Sequence, residues 1–484
     1  MNAPLRRVAI ACLVMFGALL LNANWLQVVH AKALHNKTGN TRVLLSELRH
    51  QRGLIVAGNI TVARSVPIND KYKYKRVYPN GPEYAPITGY FSILPSITGT
   101  EQAENSILSG DDDRLFVRRI SDLLTGRTAR GGTVVLTVNP KAQDAAYKGL
   151  GSKTGAVVAI DPRNGAILAL ASTPSYDPNQ FASHNPQDIT RTASRLADDP
   201  HEPLLDRAIA QTYPPGSTFK VITSAAALAS GKYQPTTVIP APHQLKLPLS
   251  TKKLSNFGNE TCSGSGHMTL QDALRISCNT AFGALGMRLG ADALGRQAAK
   301  FGFGMSPGIP LPTVPSVFPD NLNLPQTAQS AIGQFDVRVT PLQMALVAAG
   351  IANHGVIFKP NLVKEVQNPD LSVLDQAQPE VFARPLTAPV TDQLTSMMVR
   401  VVQSGTGTNA QIPGVTVAGK TGTAQHGTGQ QPPDAWFIAF APVQDPVVAV
   451  AVLVENGGDQ DLGATGGKVA APIARAVMEA VLGR

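Results

Sequence analysis

Cysteine is scarce in this chain of 484 residues, which holds only Cys12, Cys262 and Cys278. Cys12 lies in an apolar run, and the spacing of the other two resembles no zinc site. Charged residues make up 15% and hydrophobic residues 43%, a balance that excludes a disordered chain and fits a sizeable core. The 43 Gly and 37 Pro follow no fixed period, so collagen-like and repeat architectures are also excluded. The length accommodates two or three domains.

Long blocks of Lys and Arg are absent too, although the net charge is +9. Such a balance suits an anionic neighbour, which could be nucleic acid, membrane headgroups or an acidic polymer. The short basic cluster Lys71–Arg76 is more typical of a solvated strand face than of a nucleic-acid stripe. The acidic run Asp111–Asp113 is typical of a solvated loop or of a helix start rather than of a metal site. We therefore predict no nucleic-acid partner, no metal site and no cofactor.

The N-terminus carries the one long hydrophobic segment. Arg6-Arg7 precede the apolar run Val8–Leu21, and weaker apolar character continues to Val29. Counted to Val29, the segment reaches the roughly 20 residues that cross a bilayer. Counted to Leu21, it fits a cleaved secretion signal with a cleavage site at 31–33. We predict an uncleaved anchor over residues 1–30, rather than a cleaved signal or a buried core helix, and an extracytoplasmic position for the rest.

Two domains are predicted after the anchor. Residues 31–145 are mixed and polar with short apolar strands, and they suggest a smaller, mainly β, non-catalytic domain. Residues 146–484 contain five apolar strand patterns, of which two form a hairpin at an Asn-Gly turn and three are joined by short turns, so neighbours are antiparallel. Their two apolar faces predict a sheet covered on both sides by helices. The strand patterns span 156–160, 166–171, 415–424, 435–441 and 447–455.

The pattern Ser-x-x-Lys occurs at Ser217/Lys220 and at Ser250/Lys253. Ser250 lies in a polar stretch, whereas Ser217 follows a Pro-Pro-Gly break and opens an apolar helix predicted over 219–229. Residues three apart share one helix face, so the Ser217 hydroxyl and the Lys220 amine can meet. Burial and the positive helix end would lower the pKa of Lys220 and let its neutral amine take the serine proton. Alone, the motif also fits a capping serine beside a surface lysine.

The pattern Ser-x-Asn occurs at Ser183/Asn185, in a Pro- and Asn-rich loop, and at Ser277/Asn279, between two helical stretches. A short loop between helices can point a hydroxyl and an amide into a cleft. The hydroxyl can then relay a proton, and the amide can hydrogen-bond a substrate carbonyl. Alone, this pattern also fits an ordinary helix-capping turn.

The tripeptide Lys-Thr-Gly begins at Lys37, Lys153 and Lys420. Lys420 lies on the predicted strand 415–424, where Lys420 and Gly422 face one way and Thr421 and Thr423 the other. On this strand the Thr423 amide could pair with the Ser217 amide as an oxyanion hole. Taken alone, three Lys-Thr-Gly tripeptides could also occur by chance in a chain that contains many Lys and Gly residues.

One set of these motifs lies in contexts that its chemistry can use: Ser217/Lys220, Ser277/Asn279 and Lys420-Thr421-Gly422. Their order matches the signature motifs of penicillin-recognising serine enzymes. The chain resembles the class B penicillin-binding proteins, and among them the actinobacterial A type. It departs from the family at Gly58-Asn59, where a more charged turn is usual. Further similarity covers Arg52-Gly53, 155–174, 213–220, Gly333-Gln334, 340–343, 420–425 and 434–437.

The resemblance implies an α+β fold, in which a five-stranded antiparallel sheet flanked by helices carries a D,D-transpeptidase site. It implies that Ser217 attacks the D-Ala-D-Ala amide of a peptidoglycan stem peptide with Lys220 as base. Ser277 would pass protons in a catalytic set completed by Asn279 and Lys420. The substrate carboxylate would be bound by Lys420, Thr421 and Thr423, with Gly422 beside them.

The same resemblance implies the partners: stem peptides, β-lactams that trap Ser217, the cytoplasmic membrane, a membrane glycosyltransferase and proteins of wall synthesis or division. Outside the cell a disulfide is allowed, so we predict one between Cys262 and Cys278 rather than two buried thiols. His426 is predicted to be a surface histidine, since Lys220 already fills the role of base.

Four other kinds of protein are the alternatives to a transpeptidase. A class A β-lactamase would use a glutamate after the second motif, and none occurs between Asn279 and Lys364. A D,D-carboxypeptidase would use the same residues with water as acceptor, and the sequence separates it poorly from a transpeptidase. A β-lactam sensor would carry several membrane helices, and a non-catalytic scaffold would be expected to lose a motif.

Overall fold

The computed structural model describes residues 3–30, 48–94, 96–115, 130–248, 250–425, 431–458, 460 and 462–484. His426 and the alternative cleavage site at 31–33 lie outside the described residues. The helices of the described part are α1 Ala3–Asn24, α2 Gly81–Thr88, α3 Gly99–Ala103, α4 Asn105–Ser109, α5 Pro140–Leu150, α6 Pro186–Ala197, α7 Lys220–Ala229, α8 Leu270–Arg275, α9 Asn279–Leu289, α10 Ala291–Lys300, α11 Leu324–Ser330, α12 Pro341–Ala352, α13 Ala388–Ser404 and α14 Ala470–Leu482.

The strands are β1 Ile55–Ala57, β2 Ile60–Pro67, β3 Tyr74–Val77, β4 Thr133–Leu136, β5 Gly155–Ile160, β6 Ile167–Thr173, β7 Val238–Pro240, β8 Gln244–Lys246, β9 Lys253–Ser255, β10 His267–Thr269, β11 Ile357–Phe358, β12 Val363–Gln367, β13 Val373–Gln376, β14 Val381–Ala383, β15 Ala418–Ala424, β16 Asp434–Ala441 and β17 Val448–Val454. Short 3₁₀ turns lie at Asp113–Leu115, Pro178–Gln180, Gly216–Phe219, Phe257–Asn259, Thr408–Ala410 and Glu455–Gly457.

The central sheet has five antiparallel strands in the order β15-β16-β17-β5-β6. Alternate residues of β17 pack into different cores, because successive side chains of a strand point to opposite faces. Helix α12 packs against one face, and α5 and α14 against the other. The predicted sheet, covered on both sides, is confirmed. It brings strands from residues 155–173 beside strands from residues 418–454.

A second sheet of six strands has the order β13-β12-β4-β1-β2-β3. Strands β1 and β4 are parallel, and the other neighbouring pairs in this sheet are antiparallel. Strands β1 to β4 come from the region predicted as the N-terminal domain, which also contains helices α2 to α4. Strands β12 and β13 come from residues 363–376 and complete this sheet from far along the chain. The sequence patterns did not indicate that two strands from this later region would join the sheet of the N-terminal domain.

Arginine and glutamate side chains form a buried ionic cluster in this smaller domain. Arg52 Nε and Arg76 Nε each donate to a carboxylate oxygen of Glu101, at 2.6 Å in both cases. The Tyr78 hydroxyl also donates to this carboxylate at 3.2 Å. Glu101 is completely buried. The cluster therefore ties strand β3 and helix α3 to the segment before β1.

Helix α1 continues into a π-helical turn over Trp25–Val29. The stretch Ala3–Gln27 is long and apolar enough to cross a membrane. Its large apolar side chains are exposed, as expected of a helix that a lipid phase would cover. The structure therefore fits a single membrane pass.

Candidate active site

The segment before α7 carries the first candidate residue. Ser217 lies in the 3₁₀ turn Gly216–Phe219, and the α-helix begins at Lys220. The sequence predicted that Ser217 would be the N-cap or a first-turn residue of the α-helix. The structure differs in that Ser217 lies in a tighter 3₁₀ turn that precedes this helix. Because side chains three apart nearly eclipse in a 3₁₀ turn, Ser217 and Lys220 still share one face.

Gly216 allows this turn to lie against strand β15. Its φ of +52° lies in the left-handed region, which L side chains rarely adopt. A Cβ at this position would also lie 2.7 Å from the Thr423 carbonyl oxygen. The Gly216 amide donates to the Gly333 carbonyl at 2.9 Å. The backbones of the Ser217 turn and of Thr423 are consequently adjacent.

Lys220 is completely buried at the start of α7. Its Nζ donates to the Ser277 carbonyl and to Asn279 Oδ1, both at 2.7 Å, and lies 3.3 Å from Ser277 Oγ. Among the described residues, these hydrogen bonds of Lys220 go to the second motif and none goes to Ser217. The first and second motifs are thus joined through Lys220.

Ser277 is held in an unusual backbone conformation. It follows helix α8, and its φ is +63°. The Ser277 amide donates to the Leu274 carbonyl and the Cys278 amide to the Ala273 carbonyl, at 3.1 and 2.9 Å. These two bonds form a Schellman motif, whose left-handed position glycine usually occupies. A serine there costs about 1–2 kcal/mol, and such strain often accompanies function.

Lys420 projects from strand β15 and is completely buried. Its Nζ donates to Ser277 Oγ at 2.9 Å and to the Thr421 carbonyl at 2.8 Å, and it lies 3.4 Å from Thr421 Oγ1. Ser277 Oγ therefore lies between the amines of Lys220 and Lys420. The three motifs meet at this hydroxyl although Lys420 lies 203 positions after Ser217 in the sequence.

Both lysines have a lowered pKa. Burial lowers the pKa of Lys220 well below its usual value, and the nearby charge of Lys420 lowers it further. Burial alone lowers the pKa of Lys420 to about 7. Each ammonium loses its hydration in this interior, and two such charges beside one hydroxyl repel each other. The site therefore favours a neutral Lys220 amine near neutral pH.

The rest of the Lys-Thr-Gly strand lies beside the turn of Ser217. Thr421 and Gly422 are buried, and Thr423 is half-buried, as is Ser217. In the sheet, Gly422 pairs with Trp436 and Thr423 with Ala435. The Trp436 indole Nε1 donates to the Pro214 carbonyl at 3.0 Å. Strand β16 thus anchors the segment that leads to Ser217.

The competing motif copies lie elsewhere. Ser250 and Lys253 are exposed, and Ser250 Oγ accepts from the Lys252 amide at 3.1 Å. Asn185 caps helix α6 by accepting from the Gln187 amide. Lys153 lies in the turn after α5. The remaining copy, at Lys37, lies outside the described residues.

A disulfide joins Cys262 to Cys278, with the two Cα atoms 6.0 Å apart. Cys278 stands between Ser277 and Asn279, and the sequence separation of the pair is 16. The bond therefore attaches the loop before β10 directly to the second motif.

Sequence reasoning missed Glu455. Its carboxylate accepts from the Tyr213 hydroxyl at 2.8 Å and from Arg207 Nε at 2.9 Å, so it anchors the chain four residues before Ser217. It directly follows strand β17 in the chain and belongs to no motif. No local signal marks it, because its partners lie more than 240 residues away.

Comparison with known proteins gives a consistent result. The model of the penicillin binding protein transpeptidase domain matches residues 155–479, and that of the penicillin binding protein A dimerisation domain matches residues 52–134. Peptidoglycan D,D-transpeptidase PbpA of Mycolicibacterium smegmatis is 48% identical over 490 residues, covering 100% of this chain and 99% of that protein. The protein of the same name from Mycobacterium tuberculosis is 48% identical over 496 residues, with the same coverage.

A solved structure agrees with these relatives. The ceftriaxone acyl-enzyme complex of penicillin-binding protein A from M. tuberculosis has a TM-score of 0.88 and 47% sequence identity, and the match covers 90% of this chain and 100% of that one. The predicted fold and enzyme class are thereby confirmed. By sequence along its whole length and by its fold, this chain belongs to the family of penicillin-binding protein transpeptidases.

Proposed function

We propose that this chain is a peptidoglycan D,D-transpeptidase that works through an acyl-enzyme on Ser217. The observation that carries the proposal is the position of Ser277 Oγ between the buried amines of Lys220 and Lys420, beside the turn that holds Ser217. This arrangement supplies a nucleophile, a base of lowered pKa and a path for protons.

The hydrogen bonds of Lys220 support its role as base. A neutral amine has two protons and one lone pair. Both protons are used in the 2.7 Å bonds to the Ser277 carbonyl and Asn279 Oδ1. The lone pair can then accept the hydroxyl proton of Ser217, whose side chain lies on the same helix face as Lys220. Asn279 in this proposal orients the amine.

Acylation in this proposal begins at Ser217. Ser217 Oγ attacks the carbonyl carbon of the D-Ala-D-Ala amide and passes its proton to Lys220. The C–N bond then breaks, and the leaving D-Ala amine takes a proton from Ser277, which regains one from Lys220. The amine of a second stem peptide then attacks the ester carbonyl and gives a proton to Lys220. The ester C–O bond breaks, the cross-linking amide is formed, and Lys220 returns the proton to Ser217 Oγ. The backbone of the Ser217 turn lies against that of Thr423. The amides of Ser217 and Thr423 would stabilise the oxyanion, one such donor being typically worth about 2.7–4 kcal/mol.

Substrate binding in this proposal falls to strand β15. The carboxylate of the terminal D-Ala would lie against Lys420, Thr421 and Thr423, and Gly422 would let it approach the backbone. β-Lactams would present a carboxylate and a reactive carbonyl to the same groups, which supports covalent trapping of Ser217.

The cellular arrangement is part of the proposal. Residues 1–30 anchor the chain in the cytoplasmic membrane as a single uncleaved pass, 31–145 form the non-catalytic domain, and 146–484 form the extracytoplasmic transpeptidase domain. Because the enzyme cross-links strands that another enzyme polymerises, its expected partners are a membrane glycosyltransferase and other proteins of wall synthesis or division.

Fluorescent penicillin tests the proposal on the full chain in detergent. We expect covalent labelling that is lost in Ser217→Ala and retained in the matched control Ser250→Ala, because Ser250 is exposed in the competing motif copy. Labelling that survives Ser217→Ala refutes the assignment. A stem peptide ending in D-Ala-D-Ala, incubated with an amine acceptor, should give the cross-linked product. Hydrolysis alone would instead identify a D,D-carboxypeptidase.

A further inference from the structure

Thr406 lies beside the substrate strand but belongs to no recognised motif. It follows helix α13, and the residue is exposed, whereas Thr421 is 5% exposed. The hydroxyl oxygens of Thr406 and Thr421 are 2.6 Å apart, a short hydrogen bond in which either group could donate. The hydroxyl of an exposed residue thus reaches the edge of the proposed carboxylate site.

The loop that carries Thr406 is held in place from two sides. The Thr406 amide donates to the Arg275 carbonyl at 3.3 Å, and Arg275 ends helix α8, two residues before Ser277. On the other side Gly467 packs so closely that a Cβ there would collide with the Thr406 carbonyl oxygen. Asn409 Nδ2 donates to the Gly467 carbonyl at 2.8 Å. The Thr406 hydroxyl is therefore positioned by the fold.

The direction of the Thr406–Thr421 hydrogen bond follows from what a carboxylate can do. A hydroxyl has one proton and two lone pairs, and an ionised carboxylate only accepts. If Thr421 binds a carboxylate, its single proton is used there, so Thr421 must accept in its bond with Thr406. Lys420 Nζ, 3.4 Å away, is a weak second donor to the same oxygen.

We propose that Thr406 is a positioning residue for recognition of the donor carboxylate: its hydroxyl donates to Thr421 Oγ1 and so aims the Thr421 proton at the substrate. The inference rests on the proposed function, because it needs a carboxylate at strand β15. Without the Thr406 proton, the Thr421 hydroxyl would be free to turn toward other acceptors.

The test compares an acid with its ester on the full chain in detergent. The second-order rate constant of acylation is measured for benzylpenicillin and for its methyl ester, which lacks the anionic carboxylate. Thr406→Val should lower the rate with the acid about tenfold, because hydrogen bonds that serve a charged group are the stronger ones. It should lower the rate with the ester less than twofold. In Thr406→Ser, which keeps a hydroxyl at this position, the rate with the acid should lie within about threefold of the wild-type rate.

Thr408→Val is the matched control, since Thr408 is exposed two residues further on and forms no part of the proposed contact. It should leave both rates unchanged. An equal loss with acid and ester in Thr406→Val would mean a merely structural role and would overturn the inference, as would an unchanged acid rate. Failure of the proposed function looks different, because wild-type protein would then not be acylated at Ser217 at all.

Discussion

The left-handed backbone of Ser277 predicts that two ways of removing its hydroxyl have different effects on stability. Both Ser277→Gly and Ser277→Ala remove the acceptor of Lys220 and Lys420. Only glycine relieves the φ of +63°. A non-glycine residue in this region costs about 1–2 kcal/mol, so the glycine variant should have the larger free energy of unfolding by about that amount.

Urea unfolding of the full chain in detergent measures the difference. Trp436 is one of two tryptophans and is completely buried in the central sheet, so its fluorescence reports on this core. Acylation by fluorescent penicillin is measured on the same samples, and both variants should be slowed strongly, because the proposed proton path needs the hydroxyl. The glycine variant should therefore be the more stable of two impaired enzymes.

Ser396 supplies a control of opposite sign. It is exposed in the middle of helix α13, where glycine is less favourable than alanine by about 1 kcal/mol. Ser396→Ala should thus be more stable than Ser396→Gly, with acylation unchanged in both. The reasoning about strain fails if alanine equals or exceeds glycine at position 277. The proton path fails if either Ser277 variant acylates at the wild-type rate.

Three further predictions concern charge and covalent structure. The folded pKa of Lys420 is about 7, whereas the unfolded side chain titrates near 10.4, so the unfolded state binds more protons between these values. The free energy of unfolding of the wild type, minus that of Lys420→Met, should therefore increase between about pH 7 and pH 10. The increase should be at most about 1.4 kcal/mol per pH unit. A difference that decreases with pH would contradict the lowered pKa of Lys420. Glu101→Ala should destabilise the smaller domain by about 3–5 kcal/mol in differential scanning calorimetry, because it leaves two buried arginines without their carboxylate; a loss under 1 kcal/mol would argue against a buried cluster. Peptide maps should contain a Cys262–Cys278 cross-link that disappears on reduction, and identical maps before and after reduction would exclude it.

Much of the larger domain was predictable because its signals are local. Five apolar strands and an Asn-Gly turn predicted the sheet, and the observed β5, β6, β15, β16 and β17 lie within a few residues of those patterns. The smaller domain was less predictable. Its sheet takes two strands from residues 363–376, and their pairing with β4 depends on long-range hydrogen bonds that no local pattern encodes.

The three motifs show the same division. Residue types and spacing pointed to Ser217, Lys220, Ser277, Asn279 and Lys420, since each motif lay in a usable local context. Spacing also suggested that Lys220 would meet Ser217. In the structure, however, the hydrogen bonds of Lys220 within the described residues go to the second motif. Which groups a buried amine contacts depends on packing between helices that are remote in sequence.

The sequence by itself determined the apolar segment, the strand patterns and the chemical inventory of the site, because periodicity and residue type are properties of neighbouring residues. Only the tertiary structure decided the burial of both lysines, and with it their lowered pKa, since desolvation arises from side chains brought together by folding. Only the tertiary structure revealed Glu455 behind the Ser217 segment and Thr406 beside Thr421. Neither residue carries a local signal, because its role lies in a contact made across the fold.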